Sequence, residues 1–276
     1  MSPNANKKLR IAILDLYEGE ENQGMRCIRE ILRHWGDTHD ILFTYDEFDV
    51  RGKFDLPSID YDIYISSGGP GSPFGSEGTV WETKYFQWLA QVEAWNLAVE
   101  HKTKKYVFLI CHSFQLVSRY YQVGNLCKRK STSFGVFPIH LLPAGQDEII
   151  FKGLSNPFYA VDSRDYQLIA PNQARIDEMG ITILALEKER PHLPFERAIM
   201  ALRFNPYMVG TQFHPEADEM GMQMYLQRAD KRNHITEQYG EEKWKSMLDQ
   251  LQDHDKIRLT HQQILPNFLD AALAYL

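Results

Sequence analysis

Lys105-Tyr106-Val107-Phe108-Leu109-Ile110-Cys111-His112-Ser113-Phe114-Gln115-Leu116 is the stretch from which the rest of the chain can be read. An apolar run ends at a cysteine, and an amphipathic segment begins at once. The pattern predicts a buried strand, a sharp turn and a helix. Cys111 falls at the turn, beside the helix N-terminus. Unpaired backbone N–H groups and the positive end of the helix dipole favour an anion there. The thiolate is the nucleophilic form of cysteine, and such a place favours it. The geometry is that of a nucleophile elbow with sulfur in place of the serine oxygen. Taken alone the feature decides little, because a free cysteine is more often a small buried hydrophobe.

Two other stretches repeat the pattern of a strand that opens into a loop. Ser66-Ser67-Gly68-Gly69-Pro70-Gly71-Ser72-Pro73 follows Asp62-Ile63-Tyr64-Ile65, and Thr211-Gln212-Phe213-His214-Pro215-Glu216 follows Met208-Val209. In a parallel sheet the strand C-termini gather along one edge, where α/β sites lie. Cysteine, glycine loop and histidine are thus expected to meet in space. The glycine loop is not a P-loop, since no Gly-Lys-Ser/Thr follows it.

Outward from these stretches, strand and helix alternate. Leu9–Asp15 reads as a first strand, followed by a helix with Met25, Ile28, Ile31, Leu32 and Trp35 on one face, ended at Gly36. Asp40–Asp46, Asp60–Ser66 and the helix Val80–Glu100 follow. The alternation predicts βαβ units, an α/β fold and a mainly parallel central sheet with helices on both faces. Lys128–Leu142, Glu148–Phe151, Phe158–Asp162, Ile181–Leu186 and Arg197–Phe204 read as short strands without helices between them, hence antiparallel structure at one edge. Beyond His214, Ala217–Gln227, Glu241–Leu251 and Thr260–Leu276 read as helices, with Lys231-Arg232-Asn233-His234 as a connector. The expected division is 1–216 for the α/β domain and 217–276 for a helical C-terminal extension packed on it.

The 276 residues are 43% hydrophobic, enough for a sizeable core, and disorder is not the expected state. A net charge of −7 argues against nucleic acid as the main partner. The 3 cysteines, Cys27, Cys111 and Cys127, make no disulfide scaffold and fit a reducing cytoplasm. No apolar run approaches the roughly 20 residues needed to span a bilayer. No Cys-x-x-Cys or His-x-x-x-His spacing suggests a metal, and no cofactor is expected.

The three stretches together resemble the class I (triad-type) glutamine amidotransferases, including the glutaminase component of GMP synthase. Leu109-Ile110-Cys111-His112-Ser113-Phe114-Gln115 is similar to the family's Gly-x-Cys-x-Gly-x-Gln elbow, Phe213-His214-Pro215-Glu216 to its His-Pro-Glu signature, and the glycine loop to its oxyanion strand. Weaker likeness runs from Arg10 to about Glu216. The resemblance implies a flavodoxin-like sheet and a glutaminase that forms a thioester and releases ammonia to a synthase subunit on another chain. Leu109 and Ser113 stand where the family has glycine, and Leu109 is expected to narrow the pocket or shift the elbow.

The chemistry of such a site needs a nucleophile, a base, a group to orient the base, and oxyanion donors. Cys111 is the nucleophile and His214 the base. Glu216, two residues on, projects to the same face if the segment is extended, and orients the imidazole. The backbone N–H groups of Gly69 and His112 are the expected oxyanion donors. By resemblance, Gly71 and Gln115 hold the substrate. Ser163-Arg164-Asp165-Tyr166-Gln167 lies where family members carry a histidine-containing stretch, and no role is carried over to it. The other readings that this sequence leaves open are a hydrolase of other γ-glutamyl compounds with the same triad, and a non-catalytic regulatory relative. Partners consistent with the sequence are glutamine or a γ-glutamyl compound, a synthase subunit, and a second copy of the chain.

Overall fold

The computed structural model describes residues 8–20, 22–192, 196–251, 253 and 256–276. Strand β1 (Leu9–Asp15) shows why the sheet is buried on both sides: Ile11 and Ile13 enter one core, Ala12 and Leu14 the other. This is the two-residue period of a strand covered on both faces. Helix α1 (Gly24–His39) leads to β2 (Phe43–Asp49), and β3 (Ile63–Ser66) to α2 (Val80–Leu97). Then β4 (Tyr106–Ile110) runs into α3 (His112–Tyr120). Long strands β5 (Gly124–Leu141) and β6 (Phe158–Pro171) flank a short helix, α4 (Pro143–Gln146). Helix α5 (Gln173–Met179) precedes β7 (Thr182–Glu187), β8 (Ile199–Asn205) and β9 (Met208–Thr211). The chain closes with α6 (Glu219–Gln227), α7 (Ala229–Tyr239), α8 (Glu241–Leu251) and α9 (Arg258–Leu273).

The nine strands among the described residues form one sheet, in the order β2-β1-β3-β4-β9-β8-β7-β5-β6. The strands from β2 to β9 in that order are parallel, and every pairing beyond β9 is antiparallel. The first core packs residues of α1 and α9 on one face of the sheet, and the second packs residues of α2, α3 and α5 on the other. A third cluster joins Val136 and Val161 of β5 and β6 to Met222, Leu226, Ile235, Met247 and Leu251 of α6, α7 and α8. The C-terminal region is therefore used twice: α9 completes the first core, while α6–α8 cover the long antiparallel strands.

Four local expectations are corrected. Residues 149–151 form a 3-10 turn, not a strand. Lys231–His234 lies within α7. Phe158–Asp162 is only the start of β6, which runs on to Pro171. Helix α1 continues past Gly36 to His39, and its left-handed cap is Asp40, with φ 52°. Gly36 serves close approach instead: a Cβ there would lie 2.3 Å from the Phe43 ring of β2.

Candidate active site

Cys111 stands between β4 and α3 with φ 47° and ψ −94°, a strained backbone for a residue with a Cβ. Ser113 holds this turn. Its Oγ accepts from Ile110 N at 2.8 Å and lies 2.9 Å from the Ser66 carbonyl and 3.0 Å from the Ile110 carbonyl, to which its hydroxyl donates. The serine thus ties the elbow to the end of β3. Leu109 does not narrow the pocket, contrary to expectation. It belongs to the second core and lines neither cavity at Cys111. Space for it comes from Gly210, opposite it in register on β9, where an added Cβ would sit 3.0 Å from the Leu109 Cβ.

The glycine loop after β3 is pinned from below. Arg51 Nη1 donates to the carbonyls of Pro70 at 2.8 Å and Leu16 at 3.2 Å. A Cβ on Gly69 would lie 2.5 Å from the Leu16 carbonyl oxygen, and one on Gly68 would lie 2.8 Å from His214 Cε1. Both positions therefore need glycine for close contact. Gly71 has φ +91°.

His214 follows β9, and its backbone N–H bonds the Val161 carbonyl of β6 at 2.8 Å. Its Nδ1 lies 2.8 Å from Glu216 Oε1. An ionised carboxylate only accepts, so Nδ1 carries the proton and Nε2 is the nitrogen that exchanges protons with other groups. Burial disfavours the charged ring, but the Glu216 carboxylate and the Cys111 sulfur outweigh it and hold His214 well above the ordinary histidine range. His214 and Cys111 border the same cavity, near enough for the sulfur to raise the histidine. Glu216 is itself anchored on both sides. His261 of α9 donates to its backbone carbonyl at 2.8 Å, and Asp218, two residues on, pairs with Arg26 of α1 at 2.7 Å.

A relay of amides fixes a donor on the sulfur. The Tyr166 carbonyl accepts from Gln115 Nε2 at 3.4 Å, which sets the orientation of the Gln115 amide. The same Nε2 donates to Gln212 Oε1 at 3.0 Å, so Gln212 turns its Nε2 to Cys111 Sγ, 3.6 Å away. The thiol in turn faces the Ser163 carbonyl at 3.7 Å.

Two cavities meet at Cys111. The larger, about 670 Å³, is lined by Gly71, His112, Gln115 and Ser163–Tyr166, with Ile235 and Met247 of the C-terminal helices as part of its wall. The smaller, about 320 Å³, is lined by His214, Glu216, Tyr17 and residues of the loop before α1. Gly69 and Cys111 border both. Burial, with the Arg51 and Arg119 guanidiniums, brings His112 down to about 3, so its ring is neutral at pH 7. Thus the ends of β3, β4 and β9 bring Gly69, Gly71, Cys111, His112, Gln115, His214 and Glu216 to one place.

A comparison with solved structures matches this whole arrangement of elements. A glutamine amidotransferase from Thermotoga maritima superposes with a TM-score of 0.68 at 13% identity, covering 97% of this chain and 99% of that one. Its fold is that of the glutamine amidotransferases. The Trypanosoma brucei CTPS glutaminase domain with bound acivicin gives a TM-score of 0.56 at 14% identity, over 97% of this chain and 94% of that one. The protein SMU.1228c gives 0.63 at 19% identity, over 96% and 100%. No protein-family model matches the sequence, and no curated protein does.

Within this glutamine amidotransferase fold, the structure adds three residues that sequence reasoning gave no role. They are Gln212, which faces the sulfur, His261, which grips Glu216, and Tyr17, whose hydroxyl lies beside Gly24 and Gly68. Burial and the nearby Glu216 and Cys111 push the Tyr17 phenol well above its usual range, so it stays protonated. Gln212 had a sequence signal in its place between Thr211 and His214; Tyr17 and His261 had none. Among the described residues no cluster of His, Cys, Asp and Glu is placed to hold a metal ion, and no helix is long and apolar enough to cross a membrane.

Proposed function

We propose that the chain hydrolyses γ-glutamyl amides through a thioester on Cys111, with glutamine as the parent substrate. The observation that carries this reading is Cys111 on a strained turn, sharing a cavity with a His214 that Glu216 holds at 2.8 Å. The thiolate attacks the amide carbonyl. The backbone N–H groups of Gly69 and His112 receive the oxyanion, and the first turn of α3 supplies a favourable dipole. The amide C–N bond breaks as His214 Nε2 protonates the departing nitrogen. Water then attacks the thioester, passes a proton to His214, and frees the γ-carboxylate and the thiolate. Glu216 orients the imidazole and stabilises its charge without taking the proton. The NH2 of Gln115 is committed to Tyr166 and Gln212, so its Oε1 is what it offers a substrate ammonium, with Gly71 beside it.

In the amidotransferase form, ammonia passes to a synthase subunit on another polypeptide. In the second form the same triad hydrolyses other γ-glutamyl compounds, and the smaller cavity beside His214 favours that form. The experiment is alkylation of the purified chain by a chloroketone analogue of glutamine, followed by peptide mapping, together with glutamine and γ-glutamyl amide hydrolysis. Cys111 is expected to label ahead of Cys27, a thiol that burial pushes far up, and ahead of Cys127. His214→Ala is expected to abolish turnover and Glu216→Gln to lower it. Equal labelling of the three cysteines, or full activity in Glu216→Gln, contradicts the assignment.

A further inference from the structure

The nitrogen that leaves Cys111 must leave on the side of the group that protonates it. His214 borders only the smaller of the two cavities, whereas His112, Gln115 and Gly71 border only the larger. The glutamyl part and the leaving part of the substrate are therefore separated at Cys111, the first in the larger cavity and the second in the smaller. Ammonia is close to water in size, and a water molecule occupies about 30 Å³ of liquid. The leaving-group side measures about 320 Å³, room for roughly ten such molecules. Its walls include Phe134, Val161, Ala217, Met222 and Tyr225, with Glu20, Asn22, Gln23, Asp218 and Arg228 at other points of the lining. The first five give it an apolar side; Met222 and Tyr225 come from α6, and Phe134 and Tyr225 line the larger cavity as well. A chamber of this size and lining gives ammonia nothing to fill it, but it accommodates an alkyl or aryl group.

We propose that the substrate is an N-substituted γ-glutamyl amide whose leaving group is an apolar primary amine seated in the chamber between His214 and α6. The inference rests on the thioester reading above and names its substrate class. In the acylation step the Cys111 sulfur forms a bond to the γ-carbonyl carbon and the C–N bond breaks. The nitrogen takes one proton from His214 and departs as R–NH2. Water then replaces it in the chamber and completes hydrolysis to glutamate.

The test compares kcat/KM of the purified chain for glutamine, γ-glutamyl butylamide and γ-glutamylalanine, and repeats the set with Ala217→Leu, which fills the chamber. The butylamide is expected to exceed glutamine by about tenfold or more, the scale of a methylene-sized contact in an apolar pocket. Ala217→Leu is expected to shift the butylamide-to-glutamine ratio toward glutamine by about the same factor, with the rate of Cys111 alkylation by the chloroketone serving as the check that the variant keeps its elbow. Glutamine hydrolysed as well as or better than the butylamide overturns the inference and leaves the thioester reading intact. So does a ratio that Ala217→Leu leaves unmoved. Preference for γ-glutamylalanine overturns the apolar assignment. No turnover of any of the three, with Cys111 unreactive, overturns the thioester reading and this inference with it.

Discussion

At the scale of single residues, the elbow depends on a side chain that occupies the place of a glycine. Ser113 Oγ satisfies the buried Ile110 N–H at 2.8 Å and links it to the Ser66 carbonyl. Ser113→Ala removes that acceptor and the hydroxyl's link to the Ser66 carbonyl, at a cost of about 1 kcal/mol, which urea unfolding measures. The same change relaxes the turn at Cys111. A displacement of about 1 Å at a reacting group costs on the order of a hundredfold in rate, so alkylation of Cys111 by the chloroketone is expected to slow well beyond the stability effect. Unchanged alkylation would show that the strained turn is held by something other than the serine. Sequence carried the residue types of the site and the reason that three distant stretches converge, because strand ends followed by Cys111, Gly68-Gly69 and His214 are visible as such. It carried no information on the Tyr166–Gln115–Gln212 relay, since the orientation of each amide depends on a carbonyl from a strand that the sequence does not place.

Between elements, the fit of β4 against β9 replaces the space that a glycine at 109 would leave. Leu109 points into the second core, and Gly210 faces it in register, with an added Cβ 3.0 Å from the Leu109 Cβ and 3.1 Å from the Phe114 ring. Gly210→Ala is expected to cost about 1–3 kcal/mol by overpacking, and Leu109→Ala about 2–5 kcal/mol by loss of core contacts. Leu109→Ala keeps the Cβ that the new methyl meets, so the relief needs Leu109→Gly: in the Gly210→Ala, Leu109→Gly double variant that Cβ is gone, and the costs of the two single changes add to less than their sum. Denaturant unfolding of the four proteins in the cycle measures this, and strict additivity would contradict the contact. Leu109→Gly, by the same geometry, is expected to destabilise the core without enlarging the site. The misreading of Leu109 has a plain cause: a strand buried on both faces reads as an unbroken apolar run, so its pattern cannot tell which side chains turn to the pocket. Gly36 misled for a related reason, since a glycine that ends a helix and one that lets a strand approach look alike in sequence.

Across the whole molecule, the wall of the larger cavity is braced by a buried ionic knot. Glu187 of β7 bonds Arg129 of β5 at 3.1 Å and Arg190 at 2.7 Å, and stands 3.7 Å from Arg164 of β6, which lines the cavity. Burial acts to raise its carboxyl, and Arg190, Arg164 and Arg129 outweigh it and bring the group down from 4.5 to about 2. A carboxyl lowered in the folded state stabilises above its unfolded value and loses that contribution as pH falls through the folded one. The amount is on the order of 3 kcal/mol. Glu187→Gln is expected to lower stability by about 3–5 kcal/mol at pH 7, and its deficit against the native chain to shrink between about pH 4.5 and pH 2. Urea unfolding over a pH series checks it, and a deficit that stays constant with pH assigns the stabilisation elsewhere. At this scale the alternation of strands and helices was legible, while the double use of the C-terminal helices was not, because α9 reads as one more amphipathic segment until its partner is known. That partner is α1: Trp35 Nε1 bonds Asp270 at 2.7 Å, across 235 positions of sequence. At about 5–20 residues per second of synthesis, those 235 positions take roughly ten to fifty seconds to emerge. During that interval a nascent chain holds the apolar seam of α1 without the helix that seals it. Such a seam is expected to draw chaperones to the nascent chain, and ribosome-bound chains halted before residue 258 would show it by binding them where the released chain does not.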